Sequence, residues 1–329
     1  MKFQTFNDRN KMYVHLNENT ECALKAMPKL KIVCGKYCGL PFDCLMTDVI
    51  SGCLPQKRVC YGNCTAAQFW KEQGYDFGKR VLNNFDKEFF ISCIKKLPPE
   101  QKWLRQGWIS DCSFTEKSWN LTAEIASILN DYQIRLLIIT KIHSLPSEKV
   151  MHNLSENKAE IRVSISALDT EEQNRKRLNF LNDYRKIGGL AVPYLMSCKY
   201  NNKILSDNQE FLVDYVIKND FVAGEHPLRF DKQNKIIDEL EKDGFWHPKF
   251  PNQYWFGRIF EDIPNFILPA PTHLKENYFL PTCFLSDLST KSIIGLDGNL
   301  PTFKDLQQNP QQQSRGINKH AAYVIQKNQ

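Results

Sequence analysis

Cysteine is the residue whose number and placement first suggest chemistry. The chain holds 11 cysteines, and six of them, Cys34, Cys38, Cys44, Cys53, Cys60 and Cys64, fall between positions 34 and 64. Their spacing is C-x3-C-x5-C-x8-C-x6-C-x3-C. Thiolate is a soft ligand that takes zinc and iron–sulfur clusters. Tetrahedral zinc sites favour C-x2-C knuckles, because two intervening residues make the tight turn between ligands. No C-x2-C occurs in this sequence. Iron–sulfur clusters are larger and tolerate wider, irregular gaps. The expectation is a cluster. Cys53, Cys60 and Cys64 are the favoured ligands, because they lie nearest the helix expected to follow and Tyr61 supplies an adjacent aromatic. Cys34, Cys38 and Cys44 form the alternative trio, and sets drawn from both remain open. Six thiols also leave room for a second cluster, which would need a further ligand such as Cys283.

Other polar residues gather where strands are expected to end. Ser110 and Asp111 follow one, Lys141 another, and Ser164 and Ser166 a third. Glu225 and His226 stand in a Gly-Glu-His-Pro group, where they could bind substrate or move protons. Cys112 and Cys198 also sit at strand ends, as hydrogen-atom donors or as buried structural thiols.

These residues need a frame. Lys29–Val33 reads as a short strand running into the cysteine loop. Helices are expected over 65–73 and 86–96, and a strand over 102–107. From there strands and helices alternate: helix 118–132, strand 134–140, helix 147–154, strand 160–166, helix 170–187, strand 190–196, helix 207–218, strand 220–223. Strands separated by helices of this length imply βαβ units and a parallel sheet. The fold class expected is α/β, a full or partial (β/α) barrel, and ligands in such sheets collect at the carboxyl ends of the strands. The pattern fades after about residue 231. One more helix is expected over 231–243. Residues 244–301, rich in aromatics and proline, read as a loop-rich aromatic C-terminal cap that could bring His247, Tyr254 and Trp255 to the mouth. The chain thus divides into an arm (1–28), a barrel carrying the cluster loop 34–64 (29–230), a substrate-covering region (231–306) and a Gln-rich tail (307–329).

Bulk properties narrow the function class. With 329 residues, 42% hydrophobic and 24% charged, the composition is that of a folded protein. The net charge of +6 is spread without a long basic run, which argues against a nucleic-acid patch and leaves room for a small anionic partner. No apolar run approaches the roughly 20 residues of a membrane span, and no secretory h-region opens the chain. A cytoplasmic protein is expected.

A cysteine-rich loop followed by repeated βα units resembles the radical SAM superfamily, and the segments RQGWISDCSF (105–114), LLIITKI (136–142) and RVSISALD (162–169) extend the likeness over residues 29–230. The succession is similar to that in spore photoproduct lyase-like and phage-type members. The superfamily's usual C-x3-C-x2-C is replaced here: Cys34-x3-Cys38 is followed by Cys44, and Cys60-x3-Cys64 has no cysteine two residues later. The resemblance implies three thiolates on a 4Fe–4S cluster that binds S-adenosylmethionine and cleaves it reductively to a 5′-deoxyadenosyl radical. It implies Ser110 and Asp111 as acceptors for the methionine ammonium, Lys141 as partner of its carboxylate, and Ser164 and Ser166 near the ribose. It also implies an electron donor such as flavodoxin or ferredoxin, and a small-molecule, peptide or nucleotide substrate. Two other classes explain the cysteines: a zinc-binding structural or interaction protein, and an iron–sulfur electron carrier or sensor. The latter would have little use for so many βα units.

Overall fold

Strands of apolar residues alternate with amphipathic helices through the middle of the chain, and that alternation builds the molecule. The structure is a computed structural model that describes residues 3–4, 29–34, 45–53, 64, 66–67, 76–97, 103–107, 110–247, 250–256, 259–260, 263 and 266. In chain order its elements are β1 (Val33–Cys34), β2 (Leu45–Met46), β3 (Ile50–Ser51), β4 (Val81–Leu82), α1 (Lys87–Ile94), β5 (Trp103–Gln106), α2 (Glu116–Asp131), β6 (Arg135–Thr140), α3 (Glu148–Glu156), β7 (Glu160–Ile165), α4 (Glu171–Lys186), β8 (Leu190–Ser197), α5 (Lys203–Lys218), β9 (Gly224–Pro227), β10 (Arg229–Asp231), a 3-10 turn (Lys235–Glu239), β11 (Phe245–His247) and β12 (Phe250–Trp255).

The principal sheet runs β1-β2-β5-β6-β7-β8-β9. Its first pair is antiparallel, and β2 through β9 form a six-strand parallel half-barrel sheet. The register sorts side chains onto two faces, since successive residues of a strand point opposite ways. Leu104, Leu136, Ile138, Ile161, Val163, Ile165, Ala191 and Leu195 share one core with Trp119, Ile125, Leu129, Leu178, Leu181 and Leu212 of the helices. This is the outer, helix-covered face. Trp103, Arg105, Arg135, Glu160, Arg162, Ser164, Tyr194 and His226 occupy the alternate positions, on the inner face.

The helix starts are written in the sequence. Thr115 and Thr170 each close a capping box, with Ser118 and Gln173 as the third helical residue, which satisfies first-turn N–H groups from both sides. Asn202 caps α5 through the N–H groups of Ile204 and Leu205. Arg177 of α4 is fully buried, pairs with Asp169 at 2.5 Å and donates to the Lys141 carbonyl at 2.7 Å, so it clamps α4 to the end of β6.

Several expected boundaries move. The expected loop 34–64 is interrupted: Leu45–Met46 is the first parallel strand, and β3 continues its line to Ser51 as a hairpin partner of β4. The expected strand at 29–33 shrinks to a bridge from Lys29 to Asn84 and the antiparallel edge β1. The strand expected at 220–223 lies at Gly224–Pro227, because α5 runs to Lys218 and Asp220 turns the chain with φ 52°. In place of a helix over 231–243 stands the short 3-10 turn, and Phe250–Trp255 pairs with both β10 and Phe245–His247 in a three-stranded antiparallel sheet. Of the expected helix 65–73, Ala66 and Ala67 are helical and the rest lies outside the described residues, as do the arm over 5–28, most of the C-terminal region and the tail. No helix among the described residues is long and apolar enough to cross a membrane.

Candidate functional site

The carboxyl end of the parallel sheet is assembled around Gly52. Its backbone bridges that of Ser110 in parallel, which joins the ends of the first two parallel strand lines. Gly52 has φ +86°, and a Cβ there would stand 2.4 Å from the Lys79 carbonyl oxygen, so only glycine fits. The next residue, Cys53, donates its N–H to the Phe77 carbonyl at 2.7 Å. Cys53 packs in one small cluster with Cys64, Ala66, Ala67, Phe77 and Phe114. Neither thiol is in a disulfide. Cys60, on the segment between them, lies outside the described residues, as do Cys38 and Cys44, while Cys34 contributes its backbone to β1 at the antiparallel edge. Among the described residues no set of three or more His, Cys, Asp or Glu converges as a metal site.

The neighbouring strand ends are tied by one carboxylate. Asp111 Oδ1 accepts from the Ser113 N–H and hydroxyl and from Thr140 Oγ1 at 2.7–2.9 Å, and Oδ2 accepts from the Lys141 N–H at 2.8 Å. Its acceptor capacity is largely spent on holding the loop after β5 against the end of β6. Ser110 differs: its buried hydroxyl has no hydrogen-bond partner among the described residues. His143 stacks on Phe114 with centroids 4.4 Å apart and planes 6° off parallel, and its Nε2 is 3.5 Å from Asp111 Oδ2. Burial outweighs the attraction of Asp111 and lowers the His143 pKa to about 4, so the imidazole is neutral. Phe114 thus touches the cysteine cluster on one side and His143 on the other.

Comparison of the chain with protein-family models, with curated proteins and with solved structures finds no match.

The inner face carries charged side chains in the middle of the sheet. Glu160 and Arg162 pair at 2.9 Å deep in the sheet. The Arg162 guanidinium lies 5.6 Å from the Tyr194 ring centroid, and the Tyr194 and His226 centroids are 6.0 Å apart. Burial, reinforced by the positive charges of Arg229 and Arg105, lowers the His226 pKa to about 3, so the imidazole is neutral. Arg229, delivered by β10, sits 4.8 Å over the Trp255 ring and within electrostatic reach of Cys64. Sequence reasoning missed Arg105, Arg162, Tyr194 and Arg229. The alternation Glu160–Arg162–Ser164 within an otherwise apolar strand is the signal that marks this face.

The expected residues therefore part company. Ser164 and His226 face inward with the arginines. Ser166 accepts from the Leu168 N–H and donates to the Met196 carbonyl, shaping the turn after β7. Glu225 faces the other way: it accepts from Ser197 Oγ at 2.7 Å and from the N–H groups of Ile259 and Phe260, so it anchors a later segment. Cys112 is fully buried in the helix-side core, where burial pushes its thiol pKa well up. Cys198 is likewise buried. Tyr254 packs in the second core and donates to the Glu241 carbonyl. The backbone of His247 lies in β11.

Proposed function

We propose that the protein is an iron–sulfur enzyme that cleaves S-adenosylmethionine reductively and acts on a substrate held against the inner face of a partial (β/α) barrel. The observation that carries this reading is the position of Cys53. It stands at the carboxyl end of the first parallel strand line, beside Ser110 of the next, with Cys64 packed in the same pocket. That is where α/β sheets bind ligands.

The residues present fit such a group. Two thiols share one apolar pocket, and the connecting segment carries a third, Cys60, which favours Cys53, Cys60 and Cys64 over the trio that begins with Cys34 on the antiparallel edge. The unpartnered Ser110 hydroxyl is suited to accept from the methionine ammonium. In this reading Lys141, half-buried just past the end of β6, meets the carboxylate, and Ser164, on the inner face of β7, meets the ribose. Asp111 has a supporting part: it fixes the loop that presents Ser110. The cluster, when bound, supplies the electron that breaks a carbon–sulfur bond of S-adenosylmethionine and so yields a 5′-deoxyadenosyl radical. The protein's share is to orient the cofactor and keep water out, which the Phe77 and Phe114 side chains packed with the cysteines serve. Electrons come from a flavodoxin- or ferredoxin-type donor in the cytoplasm.

The test is direct. Anaerobically purified protein given a strong reductant and S-adenosylmethionine releases 5′-deoxyadenosine, and Ser110→Ala binds the cofactor more weakly, by on the order of tenfold. Protein with a full complement of iron and sulfide that neither binds nor cleaves S-adenosylmethionine excludes the reading.

A further inference from the structure

Two amide side chains stand in succession on the buried face of α5, which is made of Leu205, Asn208, Gln209, Leu212, Val213 and Val216. Each amide is spent on the main chain of a single residue. Gln209 accepts from the Cys198 N–H at 2.9 Å and donates to the Cys198 carbonyl at 2.8 Å, which fastens the loop between β8 and α5. Asn208 does the same for a residue 204 positions away. Its Oδ1 accepts from the Gln4 N–H at 2.8 Å, and its Nδ2 donates to the Gln4 carbonyl at 2.5 Å. Asn208 is fully buried. A buried amide is costly unless both of its ends are bonded, and the main chain of residue 4 bonds both.

The two docked side chains are treated oppositely. Phe3 is buried in the main core and meets Phe211, one turn further along α5, edge to face with centroids 6.0 Å apart. Gln4 is exposed. This face of α5 thus holds an aromatic ring by shape, holds the next residue by its peptide groups, and makes no use of that residue's side chain. Peptide-recognition surfaces divide the work in the same way, with main-chain hydrogen bonds for affinity and a side-chain pocket for specificity.

We propose that the Asn208–Phe211 face of α5 is a self-occupied docking site: residues 3 and 4 are its intramolecular ligand, and its partner is a protein segment that presents a phenylalanine followed by any residue in extended form. A segment of the same chain competes at an effective concentration on the order of millimolar. A partner therefore enters only when it outbids that concentration or when residues 3 and 4 are withdrawn. The site uses no residue of the cysteine end and stands whatever metal that end holds.

The probe is a fluorescein-labelled peptide of residues 1–8, titrated into the full chain and followed by anisotropy. F3A empties the aromatic slot, and Q4P removes the N–H that Asn208 accepts, while Q4A keeps both. F3A and Q4P should bind the peptide saturably, and wild type and Q4A at least tenfold more weakly, since their own residues hold the groove. N208L, which removes the amide without leaving an orphaned polar group, should weaken binding to the F3A chain by on the order of tenfold. A peptide with Phe3→Ala should not compete, and one with Gln4→Ala should compete as well as the parent. Q4P keeps Phe3 in the core and carries the test if F3A does not fold. Absence of saturable binding to the opened variants, equal binding by wild type, or binding that N208L leaves unchanged overturns the proposal. So does a wild-type dimer that N208L turns into a monomer, which would give the groove to residues 3 and 4 of a second copy.

Discussion

Gly52 and Ser110 form a parallel bridge across the ends of two neighbouring strand lines, and the residue after Gly52 is Cys53. The thiol's position is therefore fixed by backbone pairing rather than by loop chance. Gly52→Ala meets two obstacles at once, the positive φ and the Lys79 carbonyl 2.4 Å from the new methyl. It should cost about 2–3 kcal/mol and lower bound iron. Gly188, also at φ +85° but with its nearest atom, Ser155 Oγ, at 3.8 Å, carries only the conformational part. Gly188→Ala should cost about 1 kcal/mol and leave iron unchanged. Denaturant melts and iron assays on both variants check this, and equal effects would remove Gly52 from the site's framework.

Asp111→Ala should destabilise the fold by about 2–4 kcal/mol, because it leaves buried donors on Ser113, Thr140 and Lys141 without their acceptor. Urea unfolding measures it. A variant as stable as wild type that loses only cofactor affinity would return Asp111 to direct contact with S-adenosylmethionine.

The framework was largely legible from the residues, and the site only partly. Residues 134–227 follow the expected alternation because Thr115, Thr170 and Asn202 cap their helices and β-branched runs such as Ile161–Ile165 fill the strands. The first parallel strand was hidden, since Leu45–Met46 is short and is followed at once by polar Thr47 and Asp48. Asp48 is tolerated there because its carboxylate accepts the Gly107 N–H at 2.6 Å. Glu225 read as a residue that could bind substrate or move protons, yet it faces outward to the backbone of Ile259 and Phe260, a contact more than 30 residues away that local patterning does not encode. The arginines of the inner face were passed over because parallel strands are normally apolar on both faces.

Acid should weaken the fold through His143. Its pKa is lowered from 6.5 to about 4 in the folded chain, so the unfolded chain takes up a proton over that interval that the folded one does not. The stability is fully present above about pH 6.5, falls as the pH drops, and levels off below about 4. A difference of this size amounts to about 3 kcal/mol. His226, lowered further, acts in the same direction. His143→Gln should flatten part of the slope between pH 6.5 and 4 in chemical denaturation. An unchanged slope would show that the imidazole is solvated.

Cys112→Ala should leave cofactor cleavage unchanged and cost about 1 kcal/mol of stability, since the thiol is fully buried on the helix side among apolar residues. Product analysis and thermal melts on this variant separate the two effects. Loss of turnover on substrate with an intact fold would restore Cys112 as a hydrogen-atom donor.

The central claim is that Cys53, Cys60 and Cys64 hold an iron–sulfur cluster at the end of the first parallel strand line. Iron and acid-labile sulfide, measured on protein made without oxygen, test it most directly when the two cysteine trios are removed in turn. The wild type should be brown and carry about four irons per chain. Changing Cys53, Cys60 and Cys64 together to Ala should leave almost none, while changing Cys34, Cys38 and Cys44 should leave the iron and the release of 5′-deoxyadenosine in place. Stoichiometric zinc without sulfide in the wild type, or iron that survives loss of the first set and vanishes with the second, would contradict the account.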